Sequence, residues 1–455
     1  MAYLDRFRGK EVCLLGFGRS SAALLPALCA AGARVSVRDR SRAPREGCAA
    51  WKEAGVRFIL GDAWLDHLSE AVLIRSPAVR PDLPEIAAAR SRGAILSGEC
   101  ELFCDACPAT VLFVTGSDGK TTTATLAALL LRAALAPSGT RVFLGGNIGE
   151  PLFPRLSEMR PCDFAVLELS SFQLMGSLRP APRAVITNVS ENHLNWHRDM
   201  AEYVSAKARV IGPGTHAILN ADNEITAKIA LSHPKKTLFS STQTKEQLHS
   251  RFGPSSFLTV ENGALSLDGE PLLPLSNIRL PGRHNLENYM AALALIAPYL
   301  PKGTDLRPTA RAFLGVPHRL EEVGVLHGVR YINSSIDSTP TRTAAALRAL
   351  GFCAYLLCGG RGKGLSFAPL RAAITGRVGT LIVFGECRAE IASAACGFGG
   401  RILSVSTMKE AVALAKREAR AGDTVLLSPA ATSFDEFLDF EARGAYFRRA
   451  ALQDE

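Results

Sequence analysis

The run Val114-Thr115-Gly116-Ser117-Asp118-Gly119-Lys120-Thr121-Thr122-Thr123 follows directly on the apolar stretch Val111-Leu112-Phe113. An apolar strand, a glycine-bearing loop and Lys-Thr opening the Ala/Leu-rich segment 124–131 make the pattern of a phosphate cradle. Glycines let backbone N–H groups approach phosphate oxygens, and the helix that follows adds the positive end of its dipole. Lys120 can reach the β- and γ-phosphates, and the Thr121 hydroxyl can ligate Mg²⁺. The pattern predicts a protein that spends ATP. Its loop is not the common G-x-x-x-x-G-K-[ST], because Val114 stands at the first glycine position. It is a shorter T-G-x-x-G-K-T.

Other residues have chemistry to offer. Glu168 sits at the end of a predicted strand, 164–169, where an α/β sheet places ligands. Alone it reads as a capping or surface glutamate; beside Lys120 and Thr121 a Mg²⁺ ligand is the better reading. His193 lies in the polar loop Asn188–Asn195 just past another strand, where surface and site roles are evenly matched. Lys207, in the helical stretch Tyr203–Arg209, reads from the pattern alone as a solvated surface lysine. His284-Asn285-x-x-Asn288 opens a helix, and its asparagines can cap that helix or grip a nucleoside. His318-Arg319 pairs a titratable ring with a guanidinium suited to phosphate. Gly359-Gly360-Arg361-Gly362-Lys363-Gly364 is a second, weaker candidate for an anion-binding turn.

The elements that must hold these residues alternate strand and helix throughout. Predicted strands lie at 11–15, 34–37, 71–75, 94–96, 164–169, 184–189, 217–220, 330–333, 354–358, 380–384 and 425–428. The first is followed by Gly16-Phe17-Gly18, with Asp39 about twenty residues on. That is a Rossmann-like opening without its third glycine, since Ser21 stands there, and it suits a uridine nucleotide half-site as well as a dinucleotide. A turn-rich stretch, 232–280, reads as a β-hairpin insertion. Breaks near Cys104–Pro108 and Pro301–Gly303 divide the chain into three α/β domains in series. They are a Rossmann-like domain (1–106), a P-loop NTPase-type domain (107–303) and a second Rossmann-like domain (304–455).

Bulk properties exclude other classes. The chain has 455 residues, 47% apolar and 21% charged, with no run of 18 or more apolar residues to span a membrane. A strand, glycine turn and helix fit the N-terminus better than a signal peptide. Net charge is +9, but the arginines are scattered and aromatics are only 7%, so no nucleic-acid patch is expected. Of eleven cysteines, Cys100, Cys104 and Cys107 are grouped, without a fourth ligand at zinc-ribbon spacing. A reduced, cytoplasmic protein is expected.

Taken in order, the motifs resemble the ATP-dependent Mur ligases and their folylpolyglutamate synthase relatives over essentially the whole chain. The resemblance rests on Thr115-Gly116-x-x-Gly119-Lys120-Thr121-Thr122, Gly145-Gly146-Asn147-Ile148-Gly149 and Glu168-Leu169-Ser170-Ser171-Phe172-Gln173. It also rests on Asn188-x-x-x-Asn192-His193-Leu194, Ala206-Lys207-Ala208-Arg209, Gly282-x-His284-Asn285-x-x-Asn288 and Pro317-His318-Arg319. The short phosphate loop is this family's form. Gly16-Phe17-Gly18-Arg19-Ser20, Asp39-Arg40, Ser76-Pro77, Tyr331–Ser335 and the segment Leu427–Gly444 resemble the members that add D-glutamate.

The resemblance implies the substrates ATP, UDP-N-acetylmuramoyl-L-alanine and D-glutamate, with Mg²⁺, and a monomer is expected. It implies that Gly116, Ser117, Asp118, Gly119, Lys120, Thr121 and Thr122 hold the ATP phosphates, with Asn285, His318 and Arg319 in the same nucleotide site. Thr121, Glu168, His193 and Lys207 would hold Mg²⁺, Lys207 as a carbamate; Lys120, His193 and Lys207 are the implied catalytic groups. Gly18, Arg19, Ser20, Asp39, Arg40, Ser76 and Asn147 would take the UDP-muramoyl substrate. Lys363, Ser433 and Phe434 would take D-glutamate, with Phe440 nearby and domain closure excluding water. The chain departs from the family pattern at Ser334, where an Asp is usual and Asp337 is the candidate replacement, and at Arg361, Asp118 and Asn195. Another ligase of the family, or a nucleotide-binding protein that has lost ligation, are the alternatives.

Overall fold

The computed structural model describes residues 2–42, 48–362 and 364–453. Short Val-, Leu- and Ile-rich runs pair into three sheets whose buried strands are nearly continuous apolar stretches, as strands covered on both faces require. The first sheet contains β1 (Glu11–Leu15), β2 (Arg34–Asp39), β3 (Arg57–Leu60), β4 (Val72–Arg75) and β5 (Ile95–Gly98). Its order is β3-β2-β1-β4-β5 and every pairing is parallel. The order reverses between β1 and β4, which is where a doubly wound sheet opens a crevice for a ligand.

The second sheet has nine strands: β6 (Thr110–Thr115), β7 (Val142–Gly146), β8 (Phe164–Glu168), β9 (Arg183–Ile186), β10 (His216–Asn220), β11 (Lys236–Phe239), β12 (Ser256–Glu261), β13 (Ala264–Leu267) and β14 (Glu270–Pro274). The order is β14-β13-β12-β11-β10-β9-β6-β8-β7. The helix Lys120–Leu135 follows the phosphate loop and packs beside the helix Arg283–Ile296. Only part of the stretch 232–280 is hairpin. β11 extends the parallel sheet, and β12, β13 and β14 finish it as two antiparallel turns.

Contacts divide the chain into two units, Met1–Phe313 and Leu314–Glu455. The first unit holds both sheets above, joined by one apolar core that runs from Leu4 to Phe257 and takes in Cys100, Cys104 and Cys107. The second unit holds β15 (Glu321–Leu326), β16 (Val329–Asn333), β17 (Cys353–Gly359), β18 (Val378–Phe384), β19 (Arg401–Ser404) and β20 (Thr424–Leu427). Its order is β15-β16-β20-β17-β18-β19, parallel except for the β15–β16 hairpin. The domain limits 1–106, 107–303 and 304–455 stand as a proposal; residues 304–313 fall in the first unit. No helix among the described residues is long and apolar enough to cross a membrane.

The first sheet buries one ion pair. Arg38 Nε lies 3.0 Å from Glu70 Oε1, and Ser36 Oγ donates to the same oxygen at 2.6 Å. Burial pushes the Glu70 carboxyl up, but the bonds from Ser36 and Arg38 outweigh it and hold the group below its ordinary value. Glu70→Ala leaves a buried guanidinium without its carboxylate, an uncompensated charge that typically costs about 3–5 kcal/mol. Arg38 keeps its bonds to the Trp64 and Asp66 carbonyls. The unfolding free energy of Glu70→Ala from urea titration is therefore expected to fall by about 3 kcal/mol, the lower end of that range.

Candidate active site

Strand register assembles the centre. β8 lies between β6 and β7, so Glu168 is level with Val114 on one side and Gly146 on the other. β7 ends at Gly146 and β6 one residue past Val114, at Thr115, so both neighbours leave the sheet at the same edge. Thr121 Oγ1 donates to Glu168 Oε2 and Asn147 Nδ2 donates to Oε1, both at 2.8 Å. The carboxylate is buried, at 1% exposure, between the phosphate loop and the Gly145–Gly149 turn.

The loop itself is shaped by two glycines. Gly116 has φ +151° and a Cβ there would lie 1.9 Å from Thr187 Oγ1; Gly119 has φ +76° and its Cβ would lie 2.1 Å from Asn288 Oδ1. Lys120 Nζ donates to the Ser117 carbonyl at 2.9 Å, and Thr122 sits in the first helical turn. Strand β9 ends at Ile186, earlier than expected, because the next residues are spent on the loop. Thr187 Oγ1 donates to the Asp118 carbonyl at 2.6 Å, and Asn188 Oδ1 accepts from the Asp118 N–H at 3.0 Å. Asn285 Nδ2 donates to the Pro281 carbonyl at 2.8 Å, at the start of its helix.

Lys207 is not a surface lysine. It is 1% exposed on the helix Met200–Ala208, and its Nζ donates to the Gly116 carbonyl at 2.6 Å. Burial, then the nearby positive charge of Lys120, push its pKa down to about 6. A neutral amine at neutral pH is a nucleophile, the form that adds CO₂ to become a carbamate. Tyr203, one helical turn earlier, lies 4.6 Å below Nζ and bonds Ser117 Oγ through its hydroxyl at 2.9 Å. Nothing singled out Tyr203 in the sequence, although its i, i+4 spacing from Lys207 puts the two on one helix face. His193 is exposed, in a left-handed backbone conformation (φ 57°), with its ring 5.0 Å from Phe172 and 6.4 Å from Tyr203.

Among the described residues no three His, Cys, Asp or Glu side chains group as a metal site. Glu168 and Thr121 supply hard oxygen donors suited to Mg²⁺, and a carbamate on Lys207 would add a second anionic one.

The residues expected to take the UDP end meet at the edge of the first sheet. Gly18 precedes the helix Arg19–Ala30, whose first turn holds Ser20. Arg19 Nη2 donates to the Gly149 carbonyl at 2.8 Å. Asp39 accepts from the Phe17 N–H at 2.6 Å and the Ser41 N–H at 2.8 Å, so it braces the glycine turn. Ser76 follows β4, with its N–H on the Leu15 carbonyl at 2.7 Å, and Arg40 is exposed. These positions flank the β1/β4 switch point.

In the second unit, His318 is half-buried in a left-handed conformation, its Nδ1 2.9 Å from Asn333 Nδ2, while Arg319 is exposed. Ser433 is buried and Phe434 is 59% exposed. Lys363 lies outside the described residues. Asp337 is buried beside Ser334, with Ser428 Oγ donating to it at 2.8 Å, and burial raises its carboxyl. Arg361, where an Asp is usual, makes a two-pronged pair with Glu386 at 2.8 Å each. Arg443, fully buried, ties together Ser335, Gly359 and Ala431 through four bonds to neutral oxygens.

Gly119→Ala tests the loop. The new Cβ would meet Asn288 Oδ1 at a backbone angle that L residues rarely adopt. Strain of about 1–3 kcal/mol is expected. Calorimetric titration should show ATP affinity reduced about tenfold or more.

Comparison with known proteins adds to this geometry. Residues 114–296 match the Mur ligase middle domain, and residues 318–431 match the Mur ligase glutamate ligase domain. A UDP-N-acetylmuramoylalanine–D-glutamate ligase of Symbiobacterium thermophilum is 40% identical over 448 residues, covering 96% of this chain and 97% of that one. One of Ruminiclostridium cellulolyticum is 36% identical over 460 residues, 97% and 96% of the two chains. The solved UDP-N-acetylmuramate–alanine ligase of Thermotoga maritima shares the fold, with a TM-score of 0.54 at 18% identity over 97% of this chain and 98% of that one. With two family domains in register and relatives matched from end to end, the chain belongs to the Mur ligase family.

Proposed function

We propose that the protein joins D-glutamate to UDP-N-acetylmuramoyl-L-alanine at the expense of ATP. The observation that carries this reading is the 40% identity, over 96% of the chain, to a ligase named for that reaction. The chemistry at the strand ends agrees with it. A carboxylate is a poor acylating agent, so the L-alanine carboxylate oxygen attacks the γ-phosphorus of ATP. A C–O–P linkage forms, the bond to the ADP oxygen breaks, and the product is an acyl phosphate. The amine of D-glutamate then attacks the acyl carbon. The tetrahedral adduct expels inorganic phosphate, and the amine gives up a proton as the amide forms.

In this reading Gly116, Ser117, Asp118, Gly119, Lys120, Thr121 and Thr122 cradle the phosphates, and Lys120 offsets negative charge on the transferring group. Thr121, Glu168, His193 and carbamylated Lys207 would hold Mg²⁺, which supplies further neutralisation of phosphate charge when bound. Gly18, Arg19, Ser20, Asp39, Arg40, Ser76 and Asn147 receive the UDP-muramoyl substrate. Asn285, His318 and Arg319 contribute to the nucleotide site, and Lys363, Ser433 and Phe434 to D-glutamate. On this reading the reaction takes place in the cytoplasm, where ATP and the nucleotide-linked substrate are present, on a monomer.

The test supplies ATP, Mg²⁺, UDP-N-acetylmuramoyl-L-alanine and D-glutamate and measures phosphate release. Release that requires both substrates is expected; release with another amino acid but not with D-glutamate overturns the proposed acceptor. Lys207→Ala should lower the rate by about 10²–10³-fold, the effect of losing one preorganised electrostatic group. Acetate or propionate, able to stand in for the lost carbamate, should restore part of it. Full activity in Lys207→Ala would rule out the carbamate.

A further inference from the structure

A buried chain of hydrogen bonds in the first unit lies outside the residues assigned above. His197 is 2% exposed; its Nε2 lies 2.9 Å from Ser171 Oγ and its Nδ1 3.2 Å from Glu202 Oε2. Arg80 Nη2 donates to Glu202 Oε1 at 2.8 Å, Arg80 Nη1 to Oε2 at 3.2 Å, and the Arg198 N–H to Oε2 at 2.9 Å. The Arg80 bonds lead in holding the Glu202 carboxyl down at about 2, so it is ionised and only accepts. His197 Nδ1 must then carry the proton, and burial keeps the ring neutral. Its Nε2 is left to accept from the Ser171 hydroxyl.

Ser, His and Glu in this order also describe a nucleophilic triad. Ser171 is itself only 2% exposed, so the chain does not present its hydroxyl to a substrate. What the imidazole connects is more informative. Ser171 lies three residues beyond Glu168, in the turn that leaves β8. Glu202 lies in the first turn of the helix that carries Tyr203 and Lys207, and the His197 ring packs 5.2 Å from Tyr203. On the far side Arg80, in the loop after β4, anchors Glu202 and also donates to the Trp196 carbonyl at 2.6 Å.

We propose that His197 is a positioning residue: the Ser171–His197–Glu202 strut sets the spacing between Glu168 and Lys207 at the phosphate loop. The proposal rests on the reading of Glu168 and Lys207 as Mg²⁺ ligands. A rigid ring with a hydrogen bond at each end fixes the distance between the two segments in a way that apolar packing does not. Groups that orient metal ligands in this manner typically govern about 10–100-fold in metal affinity.

Mn²⁺ is the probe, titrated into the full-length protein with a non-hydrolysable ATP analogue and followed by electron paramagnetic resonance. His197→Ala and Ser171→Ala are each expected to weaken Mn²⁺ binding by about tenfold or more. The double variant should be no weaker than His197→Ala, because both changes remove one shared interaction. Ser171→Ala removes a single hydroxyl, and it carries the test by itself if His197→Ala does not fold. Variants that lose thermal stability yet bind Mn²⁺ like the parent protein, or losses that add, overturn the strut. Glu168→Gln is the reference: unchanged Mn²⁺ binding there overturns the metal assignment, and the proposal with it.

Discussion

The insertion of β8 between β6 and β7 is the constraint on which the centre depends. Parallel pairing brings Val114, Glu168 and Gly146 level, so three chain segments leave the sheet together at its carboxyl edge. From that one register follow the Glu168 bonds to Thr121 and Asn147. β9 pairs on the other side of β6, with Thr115 opposite Ile186, and so delivers Thr187 and Asn188 to the loop backbone. A slip of one residue in β8 would turn Glu168 to the other face of the sheet.

The centre also accepts costs that an ordinary core avoids. Lys207 is buried with no carboxylate in ion-pair contact among the described residues, its amine on one carbonyl and an aromatic face. An unpaired buried ammonium is expensive, so the group sheds its proton instead, and that same shift gives it nucleophilic character. The Arg38–Glu70 pair shows the opposite solution. Both charges are kept because each is matched by partners with short bonds. Arg443, in the second unit, shows a third: a buried guanidinium shared among neutral oxygens of three segments, which it fastens together.

Much of the site was legible in the residues because phosphate chemistry makes strict local demands. Gly116, Gly119, Lys120 and Thr121 must be contiguous, and a strand must precede them, so they leave a compact signature. Glu168 was legible as a strand-end carboxylate. Lys207 was not: a helical lysine looks the same in sequence whether it faces water or a loop carbonyl. Only the resemblance to the Mur ligases singled it out. Tyr203, Arg80 and His197 left no signal, since each acts through partners brought together from separate loops and helices.

The amino-acid sequence by itself determined the α/β class, the strand–loop–helix at 111–131 and the family, because these depend on local patterns that short-range sterics and hydrogen bonding enforce; it did not pick out β3, β7, β15 or β19. It did not determine the extent of the hairpin region, where β11 belongs to the parallel sheet, or the early end of β9. Tertiary structure alone decided the burial of Lys207, the occupants of the Glu168 oxygens and the path from Ser171 to Glu202. Those depend on which distant groups exclude water from one another, and desolvation is a property of the packed chain, not of any segment within it.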